Sequence, residues 1–262
     1  MTDILKVSGL TLHFGGLAAV SEVDINISEG ELVGLIGPNG AGKTTMFNLL
    51  TGAYRPSAGG IEFTRDGLAF ELGRMKPHTI CRAGIGRTFQ NIRLFKRLSV
   101  LDNVVAAMQQ HHRYGLVAAF LHTPKQGRAD AQIRAEAMEL LRIMHLDDKA
   151  EELAENLPYG EQRRLEIARA LATKPVLLLL DEPAAGMNPA ETAQLTELIR
   201  WILTEFKLTI LLIEHDMSLV MNLCERIYVL DHGLVIANGT PQEIQNDPRV
   251  IEAYLGEVVD DV

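Results

Sequence analysis

The chain has 262 residues, of which 47% are hydrophobic and 23% are charged, so it can bury a core and lacks the composition of a disordered protein. Its net charge of −9 disfavours a surface that neutralises nucleic-acid phosphates, and nucleic acid is not expected as a partner. The two cysteines, Cys81 and Cys224, lie outside any Cys/His cluster, which favours a reducing compartment over a disulfide framework or a zinc site.

Neither a membrane span nor a secretory signal is predicted. The longest apolar runs, such as Leu116 to Leu121 and Val176 to Leu180, fall far short of the roughly 18 residues that a membrane helix needs. The first residues, MTDILKV, lack a charged region, a long apolar region and a cleavage site of small residues. We therefore expect the chain to stay in the cytoplasm.

The first third of the chain predicts strands. ILKVSGLTLHF and EVDINIS alternate in the way that is typical of an antiparallel sheet with one solvated face. ELVGLIG then predicts a buried strand, and residues 43–50 predict a helix after a glycine-rich loop. Between Arg55 and Gln90 only GIEFTRD predicts a strand, and the segment RAGIGRTFQ has no clear regular structure.

The middle of the chain predicts helices. VLDNVVAAMQQ and DAQIRAEAMELLRIMHL space their apolar residues by three and four. The piece between them, HHRYGLVAAFLHTPKQGR, predicts a loop or a short helix. EQRRLEIARALATK then predicts a helix that Pro175 stops, and PVLLLLDE predicts a buried parallel strand.

The last third alternates helices and strands. Asn188-Pro189-Ala190-Glu191 predicts the start of a helix that runs toward Phe206, and LTILLIEHD predicts another buried strand. RIYVLDHGLVIANGT predicts a hairpin that turns at Asp231-His232-Gly233, and PQEIQNDPRVIEAYLG predicts a short tail.

A phosphate-binding loop is predicted where the chain matches Gly-x-x-x-x-Gly-Lys-Thr at every fixed position. Glycines let successive N–H groups face the phosphates, the lysine neutralises the β and γ oxygens, and the threonine hydroxyl binds Mg²⁺. The apolar strand before the loop and the helix after it are the context that this motif requires. The predicted ATP-binding residues here are Gly37, Pro38, Asn39, Gly40, Ala41, Gly42, Lys43, Thr44 and Thr45.

These elements predict an α/β fold: a P-loop nucleotidase core with a mostly parallel sheet, an antiparallel β subdomain and an inserted α-helical subdomain. We assign residues 1–98 and 157–240 to the core with its antiparallel part. Residues 99–156 form the predicted helical subdomain, and residues 241–262 form the tail.

Two acids, Asp181 and Glu182, end the apolar strand Leu177 to Leu180. Beside a phosphate loop, Asp181 is predicted to hold Mg²⁺ through water, and Glu182 to position and polarise the attacking water. The alternative is a buried strand whose exit happens to be acidic.

With these motifs in order, the chain resembles the ATP-binding-cassette (ABC) ATPases over essentially its whole length. The resemblance implies that Phe14 lies under adenine, that Gln90 contacts Mg²⁺ or water, and that His215 senses the γ-phosphate. It also implies that LPYGEQ is the signature motif, with residues Leu157, Pro158, Tyr159, Gly160, Glu161 and Gln162. Taken singly, Phe14 also fits a core aromatic, Gln90 a solvated loop amide and His215 a strand-end histidine, and these alternatives stay open.

The resemblance further implies a dimer, in which the signature of one subunit closes on ATP bound to the other. Gly160 and the helix predicted to start near Glu161 would supply a helix N-terminus for that anion. Two positions depart from the family's pattern. Pro158-Tyr159 stands where a Ser-Gly pair is usual, so the serine hydroxyl is absent. Asn188 stands where an aspartate is usual, so a contact between the two subunits at this position must be neutral or use an amide.

GIGRTFQNIRLF, LPYGEQRRLEIARAL, DEPAAGMNP and AYLG resemble the larger ATPase subunit of bacterial branched-chain amino-acid importers. That resemblance implies a sister ATPase subunit (or a homodimer in isolation), two membrane permeases and a periplasmic binding protein. It places the chain peripherally on the cytoplasmic face of the inner membrane.

The alternative within the superfamily is the ATPase of a lipopolysaccharide-export system or of another ABC transporter, and the insert from Gln109 to Arg128 favours the importer. A soluble cassette protein of DNA repair or translation would need coiled-coil arms, tandem cassettes or basic surfaces, and the sequence has none. A P-loop GTPase would need an Asn-Lys pair to read guanine, and no such pair occurs.

The segment around Gln90 and the helical subdomain from Ser99 to about Asn156 are predicted to be the mechanical output and to dock on a permease. The residues directly after Gln90 are apolar amid basic ones, which is typical of an exposed binding surface. The alternative is that the segment packs on the core of its own subdomain. The residues are Ile92, Arg93, Leu94, Phe95, Lys96, Arg97 and Leu98.

Overall fold

The computed structural model describes residues 2–111 and 124–256. They divide into two compact units, with residues 1–87 and 176–262 in unit 1 and residues 88–175 in unit 2. The predicted helical subdomain, 99–156, lies inside unit 2, which starts earlier and ends later. Within the described ranges, no helix is long and apolar enough to cross a membrane.

Unit 1 contains ten strands among the residues described. They are β1 (Asp3–Phe14), β2 (Leu17–Ser28), β3 (Leu32–Ile36), β4 (Ala58–Arg65), β5 (Leu68–Glu71), β6 (Ile85–Arg87), β7 (Leu177–Asp181), β8 (Thr209–Ile213), β9 (Arg226–Asp231) and β10 (Leu234–Gly239). Four of them form an antiparallel sheet in the order β2-β1-β4-β5. The other six form a second sheet in the order β10-β9-β3-β8-β7-β6, parallel except for the β9–β10 pair.

Burial follows the predicted patterns. In β2, buried Val23, Ile25 and Ile27 alternate with exposed Asp24 and Asn26, so this sheet has one solvated face. The strands β3, β7 and β8 are buried at every position, which is typical of central parallel strands covered on both faces. One hydrophobic cluster contains residues of both sheets. The predicted α/β fold with a mostly parallel sheet and an antiparallel part is confirmed.

The helices of unit 1 connect these strands. They are α1 (Lys43–Leu50), α2 (Pro77–Ala83), α6 (Pro189–Glu205), α7 (Met217–Leu223), α8 (Pro241–Gln245) and α9 (Pro248–Gly256). The helix α6 starts as predicted, because the Asn188 side chain accepts the Ala190 and Glu191 amides while the Glu191 carboxylate accepts the Asn188 amide. The predicted hairpin is also confirmed, with His232 (φ 44°) and Gly233 (φ 79°) in its two-residue turn.

Unit 2 contains α3 (Val100–Met108), α4 (Pro124–Ile143) and α5 (Tyr159–Ala172). Short 3₁₀ turns occur at Leu72–Arg74 of unit 1 and at Gln109–His111, Asp147–Lys149 and Ala154–Asn156 of unit 2. The helix predicted to start near Glu161 begins two residues earlier, at Tyr159, and Pro158 is its N-cap residue without a side-chain capping bond. Residues 112–123, the centre of the segment predicted as a loop or short helix, lie outside the described residues.

The sequence missed β5, α2, β6 and α7. The strands have four and three residues and both helices have seven, so none is long enough to establish a period. The segment RAGIGRTFQ, which predicted no regular structure, contains the end of α2 and the whole of β6.

Candidate functional site

One edge of the parallel sheet collects most of the predicted site residues of unit 1. The strands β3, β8 and β7 are parallel neighbours, so the segments that follow them lie at the same edge. The phosphate loop follows β3, Asp181 ends β7 with Glu182 next to it, and His215 follows β8. Carboxyl ends of parallel strands are where open α/β sheets bind ligands.

The phosphate loop needs glycine at two points for steric reasons. At Gly37 (φ 148°) a β-carbon would lie 1.9 Å from the Leu230 carbonyl oxygen, and at Gly42 (φ 105°) it would lie 2.6 Å from the Ala19 carbonyl oxygen. Any larger residue would therefore displace the loop from the neighbouring backbone.

Lys43 is buried at the start of α1, and its Nζ donates to the Gly37 and Pro38 carbonyl oxygens, at 2.6 Å each. The N-cap of α1, Gly42, makes no side-chain capping bond, and the N-terminus of a helix favours an anion. Thr44 is exposed beside Lys43, and Thr45 is half-buried. This arrangement is compatible with the phosphate-binding role that the sequence predicts.

Asp181 forms a buried ion pair with Arg87, a residue that the sequence analysis did not single out. Arg87 Nη2 lies 2.7 Å from Asp181 Oδ2, and the two side chains are 8% and 2% exposed. The same guanidinium donates to Asn48 Oδ1 at 2.8 Å and Thr51 Oγ1 at 3.2 Å, at the end of α1. Arg87 thus links the Asp181 carboxylate, at the end of β7, to α1, the helix that follows the phosphate loop.

Glu182 and His215 lie close to each other. The Glu182 amide donates to the Ile213 carbonyl oxygen at 2.9 Å, and its φ of 46° is a left-handed value that side chains rarely adopt. His215 Nδ1 lies 3.8 Å from Glu182 Oε2, and the His215 side chain is 65% exposed. The same nitrogen lies 3.7 Å from Glu214 Oε2, so the exposed imidazole lies near two carboxylates, one of which is the predicted base Glu182.

A second buried acid, Glu214, holds this pair in place. Its carboxylate accepts the Ala184 amide at 2.8 Å and the His215 amide at 3.1 Å. Burial raises the pKa of Glu214, and these amide bonds oppose the shift. The acid in the sequence IEHD was the available signal for Glu214, but a polar residue at a strand end is common.

Phe14 ends β1 and is 48% exposed, so it is not a core aromatic. Its ring meets the ring of Tyr54 edge to face, with centroids 5.2 Å apart. The exposed face of a single aromatic ring, such as that of Phe14, is a flat apolar surface of the kind on which a purine base stacks. Tyr54 had no motif that could have marked it in the sequence.

Gln90 and the signature residues belong to unit 2. The Gln90 side chain is exposed, and its backbone oxygen accepts from Arg163 Nη2 at 2.8 Å. Because α5 begins at Tyr159, Gly160 lies in the first turn of the helix and not before it. Leu157 is buried, and its carbonyl oxygen accepts the Gln162 side-chain amide at 2.8 Å.

Three more signature residues lie at the surface of this turn. Pro158 and Tyr159 are exposed, and Glu161 forms an ion pair with Lys149 Nζ at 2.6 Å. The hydrogen bond that Lys149 donates to the Glu161 carboxylate raises the pKa of Lys149. In unit 1, the capping bonds of Asn188 occupy its side-chain oxygen, so the predicted contact across a dimer would have to use its side-chain N–H groups.

Comparison with known proteins identifies the family. The family model described as ABC transporter matches residues 20–185, and the model described as branched-chain amino acid ATP-binding cassette transporter matches residues 235–260. The chain belongs to the ABC transporter family. The predicted ATPase is therefore confirmed as an ABC ATPase that uses nucleotide.

Relatives of this ABC ATPase align along almost its whole length. The high-affinity branched-chain amino acid transport ATP-binding protein LivG of Salmonella typhimurium is 49% identical over 97% of this chain and 98% of its own. BraF of Pseudomonas aeruginosa, described in the same words, is 46% identical over the same shares. The lipopolysaccharide export system ATP-binding protein LptB of Escherichia coli is 35% identical over 97% of each chain. The two branched-chain amino acid transport proteins are thus more similar to this chain than LptB is.

Solved structures agree with the ABC fold. The ADP conformation of an ATP-binding cassette of an ABC transporter matches with a TM-score of 0.82 and 26% identity, over 98% of this chain and 100% of that chain. A dimeric post-hydrolysis cassette bound to ADP and Pi matches with a TM-score of 0.74 and 26% identity, over 90% and 98%.

Proposed function

We propose that this ABC ATPase powers the import of branched-chain amino acids by binding and hydrolysing ATP at a dimer interface. The observation that supports the proposal most is the 49% identity to LivG over nearly the whole of both chains. The match of residues 235–260 to a branched-chain amino acid transporter model supports the same substrate class. The lower identity to LptB makes lipopolysaccharide export the weaker candidate.

We assign ATP binding to Phe14 and the loop of residues 37–45. Phe14 offers an exposed ring for adenine, Lys43 places a cation opposite the phosphates, and the first turn of α1 supplies backbone donors. Glu182 aligns the attacking water as a base, and the exposed His215 contacts the γ-phosphate and reports its presence.

Mg²⁺ is the proposed cofactor, and the residues of the site fit it. Thr44 supplies a hydroxyl and Asp181 a carboxylate, and oxygen donors of this kind are the ligands that Mg²⁺ prefers. Gln90, which belongs to unit 2, has an exposed side chain, and its role as a ligand of the ion or its water stays a prediction. When bound, the ion neutralises charge on the phosphates.

The proposed partners follow from the function. A second ATPase subunit receives the signature turn of residues 157–162, whose exposed Pro158 and Tyr159 leave backbone donors to contact the partner's ATP. Two permeases and, indirectly, a periplasmic binding protein complete the assembly, which places the chain on the cytoplasmic face of the inner membrane.

We infer that residues 90–98 are the surface that binds a permease. Phe95 is 51% exposed and Leu98 is also exposed, while α3 holds their backbone through buried Asn103. The Asn103 side chain accepts the Phe95 amide at 3.0 Å and donates to the Phe95 and Ser99 carbonyl oxygens at 3.1 and 2.9 Å. An apolar surface on a rigidly held backbone is suited to docking.

Transport in cells that lack the native ATPase subunit tests the function, with radiolabelled leucine as the probe. We expect the wild-type chain to restore uptake and Phe95→Asp to abolish both uptake and co-purification with the permeases, while the isolated variant stays folded and binds ATP. The matched control is Leu68→Asp in β5, because Leu68 is an apolar residue that is 64% exposed, and this variant should transport normally. Failure of the wild-type chain to support uptake contradicts the substrate class, and normal transport by Phe95→Asp contradicts the docking surface.

A further inference from the structure

Three side chains on one face of α5 hold the backbone of the segment 89–95. Arg163, Glu166 and Arg169 are spaced by three residues, so they lie on successive turns and point the same way. We call these three residues the clamp. Each of them has at least one hydrogen bond to a backbone atom of the segment.

The bonds of the clamp are charge-assisted. Arg163 is fully buried, and its two terminal nitrogens donate to the Phe89 oxygen at 2.6 Å and the Gln90 oxygen at 2.8 Å. Glu166 Oε1 accepts the Phe89 amide at 3.3 Å and the Arg93 amide at 3.2 Å. Arg169 donates to the Arg93 oxygen and stacks over the Phe95 ring at 4.7 Å. The segment is therefore fixed to α5 from residue 89 to residue 95.

The clamp also reaches the signature turn. Arg163 Nη2, which binds the Gln90 oxygen, also donates to the Tyr159 hydroxyl at 3.2 Å, and its guanidinium lies 5.9 Å from the centre of the Tyr159 ring. Tyr159 is the first residue of α5 and belongs to the signature motif. One guanidinium thus joins the Gln90 backbone to the turn that contains Gly160.

The buried charges of Arg163 and Glu166 indicate that this pair does more than fill space in the core. Arg163 Nη1 and Glu166 Oε2 lie 2.8 Å apart with 0% and 4% exposure, so both charges are withdrawn from water. Burial raises the pKa of Glu166, and the Arg163 charge opposes the shift. Apolar residues of similar volume commonly stabilise such a position as well or better. A rigid guanidinium fork, by contrast, fixes two successive carbonyl oxygens in one orientation.

We propose that Arg163 and Glu166 are positioning residues that make the Gln90 backbone and the signature turn move as one body. A displacement of the segment 89–95 then shifts Tyr159 and Gly160 by a similar amount. The consequence rests on the proposed function: the position of the Gln90 segment determines whether the signature turn can close on the ATP of a second subunit.

Hydrogen exchange of the isolated chain tests the clamp. Removing Arg163 alone would leave the Glu166 charge buried without its counter-ion, so the test variant is R163M/E166Q, which removes both charges and keeps an acceptor oxygen. R142M/E139Q is the matched control, because it removes an ion pair of 2.7 Å in the same unit that is 59% and 64% exposed and lies outside both stretches. We expect R163M/E166Q to speed exchange by at least about tenfold both in 89–95 and in 159–163, which is the effect of losing a single charge-assisted bond, and R142M/E139Q to change neither stretch.

Three exchange results would overturn the proposal. Faster exchange in 89–95 without a change in 159–163 means that the clamp does not transmit displacement. No change in either stretch means that the clamp does not hold the segment. Equal acceleration in α4 means that the pair only stabilises the unit.

A second arm measures nucleotide-driven pairing by sedimentation in the E182Q background. With Mg-ATP we expect the E182Q parent to pair, and E182Q/R163M/E166Q to bind a fluorescent ATP analogue with similar affinity but to remain monomeric. Pairing equal to that of the parent would overturn the coupling. If the parent itself does not pair, the proposed dimer is wrong, while the exchange experiment still decides whether the clamp transmits displacement.

Discussion

Replacing Arg87 tests whether the ion pair with Asp181 organises the site. Both side chains are almost fully buried, and the Arg87 guanidinium also bonds Asn48 and Thr51. Arg87→Met leaves the Asp181 carboxylate buried without its cation, which costs about 3–5 kcal/mol when one partner of a buried pair is removed. That loss is a large part of a stability that is typically about 5–15 kcal/mol.

Urea unfolding followed by the fluorescence of Trp201, the single tryptophan, provides the measurement. The matched control is Arg142→Met, because the pair of Arg142 with Glu139 is 59% and 64% exposed and should contribute less than about 1 kcal/mol. If Arg87→Met does not fold, the double variant R87M/D181N should fold, because it removes both charges of this pair. A loss no larger than that of Arg142→Met would refute the assignment of Arg87 as the anchor of Asp181.

Three further predictions address nucleotide binding and a buried thiol. Lys43→Ala should weaken Mg-ATP binding by about 10- to 100-fold in equilibrium titration, because a charged donor facing the phosphates is lost, and unchanged affinity would remove Lys43 from the site. Phe14→Ala should raise the KM for ATP by about 2- to 10-fold in steady-state kinetics and leave kcat nearly unchanged, and a fall in kcat alone would make Phe14 structural. Burial raises the pKa of Cys224 to about 12, so in a Cys81→Ser variant the thiol should resist maleimide at pH 8 until urea unfolds the chain, and rapid labelling of the native state would contradict that burial.

The sequence predicts the phosphate loop, the acidic strand end and most long elements because each has a local pattern. The loop residues 37–44 carry a fixed motif, and β7 and β8 are continuous apolar runs. The capping box at Asn188 also lies within four consecutive residues. Local chemistry of this kind can be read without knowledge of the fold.

The residues that sequence reasoning missed act through distant partners. Arg87 pairs with Asp181, which is separated from it by 94 positions in the sequence. Arg163 bonds the backbone of Phe89, which is 74 positions away. Arginine in these places looks like an ordinary surface charge until the fold buries it. Tyr54 and Glu214 are recognised only when Phe14 and His215 lie beside them. Contacts between residues far apart in the sequence therefore cannot be predicted from local patterns in one sequence.

Glu182→Gln gives the most direct test of the claim that this site hydrolyses ATP. The amide keeps the shape of the side chain and removes the base that aligns the attacking water, so Mg-ATP affinity should stay within about threefold of wild type. Turnover measured by phosphate release should fall by about 10²- to 10⁴-fold, the usual contribution of a general base. Turnover close to that of the wild type, with ATP still bound, would contradict the account of the catalytic site.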